Sequence, residues 1–232
     1  MGNKLKEIVA LIPVKGDSER VKRKNLRKFA NTSLLELKIN QINKTNCFSK
    51  IIVSSESKNV LQIAKKNGLD THLRDPYYST SKVPMSEVYS YIASEITGEN
   101  IAWVNVTNPL CGAEIYNKAS KIYSSMPKKF DCLLSAVELK QNFFYKNKRV
   151  NFKRSPWPRS QDLKPLITLP FVINILKREN MVKWGSCVGK KPKFFYINPI
   201  LSIDIDDSNS FKLTEIIYKN KLLGLKKRDF FN

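Results

Sequence analysis

Two carboxylates spaced two residues apart, Asp204 and Asp206 in the stretch SIDID (202–206), are the clearest candidates for chemistry in this chain. Alternation along a strand would put both acids on one face and Ile203 and Ile205 on the other. Like charges held that close are costly unless a cation sits between them. Mg²⁺ is the natural ion, since it takes one or two carboxylates together with phosphate oxygens and keeps part of its water shell. The plain alternative is a solvent-facing acidic strand end that runs into the turn DDSNS.

A second constellation lies far away in the sequence, where KGDSERVKRKN (15–25) follows the apolar run IVALIPV. Such a loop would leave the C-terminal end of a first strand, the place where open α/β sheets bind ligands. Gly16 would let the backbone turn and present amides, Ser18 would add a hydroxyl, and Lys15, Lys22, Arg23 and Lys24 would supply charge for a triphosphate. Neither GxxxxGK[ST] nor GxGxxG is present, so the loop is neither a P-loop nor a dinucleotide fingerprint. A solvated basic loop is the alternative. Combined with a carboxylate pair, the loop suggests nucleotidyl transfer, in which cations hold the triphosphate and a metal neutralises charge developing during in-line displacement.

The elements that must position these groups follow an α/β rhythm. Apolar strand-like runs at 8–14, 50–55, 101–106 and 132–138 alternate with helical periodicity near 33–43, 59–68, 86–96 and 113–124. Strands that read as continuous apolar runs are buried on both faces, so a mostly parallel sheet flanked by helices is expected. Between about 140 and 170 the rhythm breaks into a stretch of aromatics, cations and prolines, read as an inserted arm. That composition suits a subunit interface, or stacking on single-stranded nucleic acid. FVINILKREN and KFFYINPILSIDID then restore the alternation, and a basic helix from Phe211 to about Lys221 closes the chain.

Composition sets the bounds. The 232 residues suit one globular domain, and no apolar run approaches a membrane span. The leading MGNKLKE carries no secretory pattern, so the expected location is cytoplasmic. Cys47, Cys111, Cys132 and Cys187 lack metal-site spacing and read as idle or buried thiols. His72, the one histidine, reads as a surface or packing residue. A formal charge of +21 attracts polyanions of any kind, including nucleic acid, nucleotides and acidic sugars, and it arises equally from lysines scattered over solvated helix faces.

With these residues in view, the chain resembles the acylneuraminate cytidylyltransferases, which make CMP-sialic acid and related CMP-sugars from CTP. IPVKGDSERVKRKNL is similar to the family's IPARGGSKGxxxKNL, VSSESKNVLQIAKKNG to VSTDDEEIAEVAKxxG, and VNVTNPL to LLQPTSPL. LRDP, RSQDL and SIDID follow in the family's order, over about residues 7–218. The resemblance implies a Rossmann-like nucleotidyltransferase fold in one domain over 1–232, with a dimerisation and acceptor arm at about 140–170. It also implies Mg²⁺, CTP, a small acidic acceptor and a homodimer, with no membrane partner and nucleic acid disfavoured.

By position, the resemblance gives Lys15, Gly16, Ser18, Lys24, Asn25, Arg74 and Ser86 to the nucleotide. Asp204 and Asp206 are given to the metal, and Lys24, Asp204 and Asp206 to catalysis. Asn105, Thr107, Arg159, Gln161, Asn174, Phe194 and Phe195 fall on the acceptor side, where ordinary core packing is the alternative for the two phenylalanines. Several positions depart from the family pattern. Lys15 stands for an arginine, Glu19 for a lysine, Ser160 for an arginine that meets the sugar acid, Pro170 and Phe171 for Asn-Gly, Asn174 for a tyrosine, Asn105 for a glutamine and Cys111 for an arginine. These departures keep open a different acid or a phosphonate as acceptor, a nucleotide-binding protein without turnover, and a basic nucleic-acid-binding protein.

Overall fold

The structure is a computed structural model that describes residues 7–222, so the leading MGNKLK lies outside the described residues. The first strand, β1 (Ile8–Pro13), leads into the basic loop, which is followed by a small hairpin of β2 (Lys28–Phe29) and β3 (Thr32–Ser33). Helix α1 (Leu34–Asn43) starts on Ser33, whose hydroxyl accepts from the Glu36 amide. Then come β4 (Lys50–Ser55), α2 (Lys58–Lys66) and β5 (Asp70–Leu73). Gly68, at φ +76°, takes the left-handed position after α2 that suits a glycine at a helix end. Helix α3 (Met85–Glu95), β6 (Asn100–Trp103), α4 (Ala113–Ser125) and β7 (Cys132–Leu139) follow.

The central sheet runs β10 (Leu166–Thr168)-β7-β11 (Asn174–Lys177)-β6-β1-β4-β5, with β12 (Pro192–Tyr196) also paired to β7. Pairing is parallel for β1 with β4 and β6, for β4 with β5 and for β12 with β7. It is antiparallel for β10 and β11. Strand β1 is buried on both faces, as its apolar run implied. Ile8 and Ile12 join the core beneath α1, α2 and α4, while Val9 and Leu11 join the core beneath α3 and α5 (Arg178–Trp184). Cys111, Cys132 and Cys187 are buried thiols, and His72 is half-buried with Nδ1 2.9 Å from the Ser54 hydroxyl.

The arm is a short hairpin, β8 (Phe144–Tyr145) with β9 (Lys148–Arg149), whose turn residues Lys146 and Asn147 both have positive φ. Phe144, Tyr145 and Trp157 are exposed on it. Its last residues depart from expectation, because Leu166–Thr168 returns to the sheet against β7 and does not continue the arm.

A third apolar cluster matters most for function. Val21 of the basic loop, Ile205 of SIDID, Phe29, Leu34 and Phe211 of α6 (Ser208–Leu222) bury one another. Burying such side chains contributes roughly 1.5–3 kcal/mol each, enough to hold two loops distant in sequence against each other.

Candidate active site

The SIDID segment leaves a turn at Ser202 and forms no ladder, so the expected strand is absent; Ile205 N instead donates to Thr107 O at 2.9 Å. The alternation survives without the strand, since Ile205 is buried while Asp204 and Asp206 both line a cleft of about 640 Å³. A buried clamp fixes the segment. Asn108 Nδ2 reaches Ser202 O and Ile203 O, each at 3.3 Å, and Lys38 Nζ donates to Asn108 O at 2.9 Å and to the Tyr116 hydroxyl. Burial pulls the Lys38 ammonium down to about 8.

Asp204 Oδ1 is buried without a hydrogen-bond partner. Burial raises the Asp204 pKa and the charge of Asp206 adds to this, while the Thr107 hydroxyl and Lys24 oppose it. An orphaned carboxylate oxygen beside a second carboxylate fits a hard divalent cation. Among the described residues no third acidic, histidine or cysteine ligand joins them, so phosphate and water would complete the shell of an ion such as Mg²⁺.

Across the cleft stands the basic loop. Lys24 Nζ donates to Ile205 O, and burial lowers its pKa despite the pull of Asp204 and Asp206. Asn25 is buried, with Nδ2 donating to Lys15 O at 2.9 Å and Oδ1 left unpartnered at the cleft wall. Lys15 and Ser18 line the same space. Gly16 behaves differently from expectation. Its amide donates to Glu56 Oε1 at 2.7 Å, and an added Cβ would lie 2.5 Å from Ser57 Cβ, so this glycine permits close packing and does not offer its amide to a phosphate. Lys22 and Arg23 are exposed outside the lining.

Arg74 is nearly buried and acts largely as a brace, with Nη2 donating to Glu56 Oε2 at 2.8 Å and to Val14 O at 2.7 Å. Its Nε is buried without a partner and the residue borders a second lobe of the cleft. Glu56 also accepts from the Ser79 hydroxyl at 2.8 Å. Burial opposes ionisation of Glu56, but these donors outweigh it and hold its pKa below the usual value. The lobe measures about 690 Å³ and is walled by Tyr78, Tyr89, Trp103 and Phe171, with Lys15, Ser81, Met85 and Asn105 shared between the two lobes.

Several expected residues lie elsewhere. Ser86 lines neither lobe and packs against Gly185, whereas Ser81 and Met85 occupy the cleft. Asn174 is fully buried in β11, bonded to Cys187 Sγ at 3.4 Å. Phe194 and Phe195 point into the cores on opposite sides of the sheet, which is the packing alternative. Arg159 and Gln161 are exposed beyond the cleft, with Arg159 Nε donating to Asp162 Oδ2 at 2.6 Å. Asn105 and Thr107 do line it.

Sequence reading missed Arg20, Glu56 and Lys38. Arg20 Nη2 lies 2.8 Å from Asp206 Oδ1, one residue after the position where Glu19 displaces the family's lysine. Lys38 did carry a signal, because it sits on the apolar stripe of α1 with Leu34, Leu35, Ile39 and Ile42. The first lobe presents Lys15, Arg20 and Lys24 against Asp17, Glu19, Glu56, Asp204 and Asp206, so despite a protein charge of +21 its lining is not basic overall.

Comparison with known proteins supplies the family. Post-translational flagellin modification protein B of Campylobacter coli is 24% identical over 97% of this chain and 100% of its own. CMP-N,N'-diacetyllegionaminic acid synthase of Campylobacter jejuni is 24% identical over 95% and 98%. N-acylneuraminate cytidylyltransferase of Escherichia coli is 28% identical over 93% of this chain and 53% of its own. In fold, a CMP:2-keto-3-deoxy-manno-octonic acid synthetase complexed with CTP superposes at a TM-score of 0.69 with 9% identity, covering 93% of this chain and 99% of that one. A cytidylyltransferase family model matches residues 9–159, and the chain belongs to the cytidylyltransferase family.

Proposed function

We propose that this cytidylyltransferase joins CMP to an acidic 2-keto sugar of the nonulosonic type, and that the residues lining the cleft carry the reaction. The hydroxyl oxygen of the acceptor bonds to the α-phosphorus of CTP, the bond from that phosphorus to the bridging oxygen breaks, and pyrophosphate leaves. The hydroxyl proton passes to a carboxylate of the Asp204 and Asp206 pair. The observation carrying this reading is the buried, unpartnered Asp204 Oδ1 facing a loop that supplies Lys15, Ser18, Lys24 and Asn25.

Asp204 and Asp206 would hold Mg²⁺, which supplies Lewis acidity and charge neutralisation at the phosphates. Lys24, anchored on the segment between the two acids, would stabilise charge that develops on the leaving phosphates. The unpartnered Asn25 Oδ1 is free to accept from a ribose hydroxyl or the cytosine amine. Because the lining holds more carboxylates than cations, a triphosphate enters favourably only with a divalent ion.

The reading includes one catalytic domain over 1–232, a cytoplasmic location where CTP is available, and a homodimer in which the exposed aromatics of the arm find a partner. No helix among the described residues is long and apolar enough to cross a membrane. The placement of Arg159, Gln161 and Asn174 outside the cleft favours an acceptor differing from sialic acid as the second reading. Pyrophosphate release from CTP, measured with a panel of nonulosonic and shorter keto-sugar acids with and without Mg²⁺, tests both. Turnover that requires CTP, Mg²⁺ and a nonulosonic acid is the expected result, and turnover with shorter acids alone would move the second reading forward.

A further inference from the structure

We infer that Lys38 and Asn108 are positioning residues that set where Asp204 stands in the cleft, an inference that rests on the proposed role of Asp204 in holding the metal. Neither side chain lines either lobe, so both act on the reaction through the segment they hold. That segment needs holding, because SIDID has no ladder partner to fix its register. Thr107 and Asn108 take the place of a neighbouring strand. Thr107 O accepts from Ile205 N at 2.9 Å, and Asn108 Nδ2 reaches Ser202 O and Ile203 O at 3.3 Å each. The bonded groups of Ile203 and Ile205 bracket Asp204 on both sides.

Thr107 and Asn108 lie in the connection from β6 to α4, outside the sheet, so their own position has to be set from elsewhere. Helix α1 sets it. Lys38 Nζ donates to Asn108 O at 2.9 Å and to the hydroxyl of Tyr116 in α4, and one turn further on Gln41 Nε2 donates to Pro109 O at 2.6 Å. Lys38 and Tyr116 are fully buried, which shields these bonds from water. The Asn108 amide has two protons and three carbonyls within reach, the third being Pro170 O at 3.3 Å in the break between β10 and β11. One side chain thus ties the metal-binding segment and that break to the same point.

A lysine is a costly choice for this place. It falls on the apolar stripe of α1, where a methionine of similar length would pack without the desolvation of an ammonium, and burial accordingly pulls its pKa down to about 8. What a methionine lacks is a donor for the Asn108 carbonyl, 70 residues away in sequence. A residue that breaks the pattern of its own helix while its contacts lead to the cleft points to a functional constraint.

The test follows the melting shift that Mn²⁺ alone produces, together with kcat and the CTP KM. Wild type should show the shift and Asp204→Asn should lose it. In Lys38→Met and in Asn108→Ala the shift should shrink to about half or less. There kcat should fall about tenfold or more, the scale of a misplaced catalytic group, while the CTP KM moves less than about threefold. Ile39→Val is the control, since it loosens the same helix without removing any bond of the clamp. It should melt lower yet keep the Mn²⁺ shift, and kcat within about twofold. If Lys38→Met does not fold, Asn108→Ala decides, because it leaves Lys38 and the carbonyl it serves in place. An unchanged Mn²⁺ shift in either folded variant, or a loss in Ile39→Val as large as theirs, would overturn the inference and make the clamp structural only. A wild type without a Mn²⁺ shift, or with one that survives Asp204→Asn, would instead sink the proposed metal role of Asp204, and this inference with it.

Discussion

On the β4 and β5 side of the cleft, Glu56, Arg74 and Ser79 tie the basic loop down through hydrogen bonds of 2.7–2.8 Å, whereas in the second lobe Tyr89 of α3, Trp103 of β6 and Phe171, which precedes β11, meet mainly through aromatic surface. The first construction fixes positions of charge, which any nucleoside triphosphate requires. The second fixes a shape, and shape can change without disturbing the charge network. In the proposed reading, the first would meet CTP and the second would be free to differ between relatives, whose names include a diacetyllegionaminic acid synthase and an acylneuraminate cytidylyltransferase.

The sharpest way to break this comparison is Asp204→Asn, where the two sides converge. Activity should fall by about a thousandfold, the scale for losing a group that stabilises charge developing in the transition state. Stability should move the other way. Burial raises the Asp204 pKa, so between the unfolded and folded values the native state binds more protons and stability falls as pH rises. The penalty is then fully present at neutral pH, and the Asn variant should melt higher than wild type there without added metal. Thermal melts at pH 7, with and without Mg²⁺, check this. A variant that melts lower would show Asp204 to be a structural residue.

Glu56→Gln probes the charged side alone and should cost about 2 kcal/mol, less than a fully buried pair because Glu56 is partly wet. The variant leaves the Arg74 charge without its carboxylate beneath the loop, so the CTP KM should rise while the order of preference among acceptors stays as in wild type. The lowered pKa of Glu56 means that its contribution is present above the unfolded carboxylate pKa and is lost as pH falls through the folded one. Urea titrations of wild type and variant should therefore differ at pH 7 and converge in the acid range. A shift in acceptor ranking would mean that the two sides are not separable.

The same contrast explains what the sequence made legible. Continuous apolar runs gave β1, β4 and β7 almost to the residue, because burial on both faces leaves an unambiguous pattern. Asp204 and Asp206 were legible because local alternation survives even where no ladder forms. Arg20, Glu56 and Lys38 were not read, since each works through a partner more than 15 residues away that only the fold supplies. Asn174 and Phe194 were misplaced for the complementary reason. A position matched to a motif says where a residue falls along the chain, but the interruption before β11 and the packing of β12 decide which way it faces.

The smallest effect belongs to Arg159→Ala. Arg159 is exposed and paired with Asp162 outside the cleft of its own chain, so its loss should change stability by less than about 1 kcal/mol. The CTP KM should stay constant. In the proposed homodimer, however, the arm of one copy is available to the cleft of the other, and the acceptor KM should then rise by up to about fivefold, the scale of one exposed ionic contact. Mixing the Arg159→Ala and Asp204→Asn proteins separates the two cases. A mixed dimer pairs an intact cleft with an intact arm from the other copy, so the acceptor KM of the mixture should return toward wild type. An acceptor KM unaffected by the substitution would leave the arm outside catalysis and confine the acceptor side to Asn105 and Thr107.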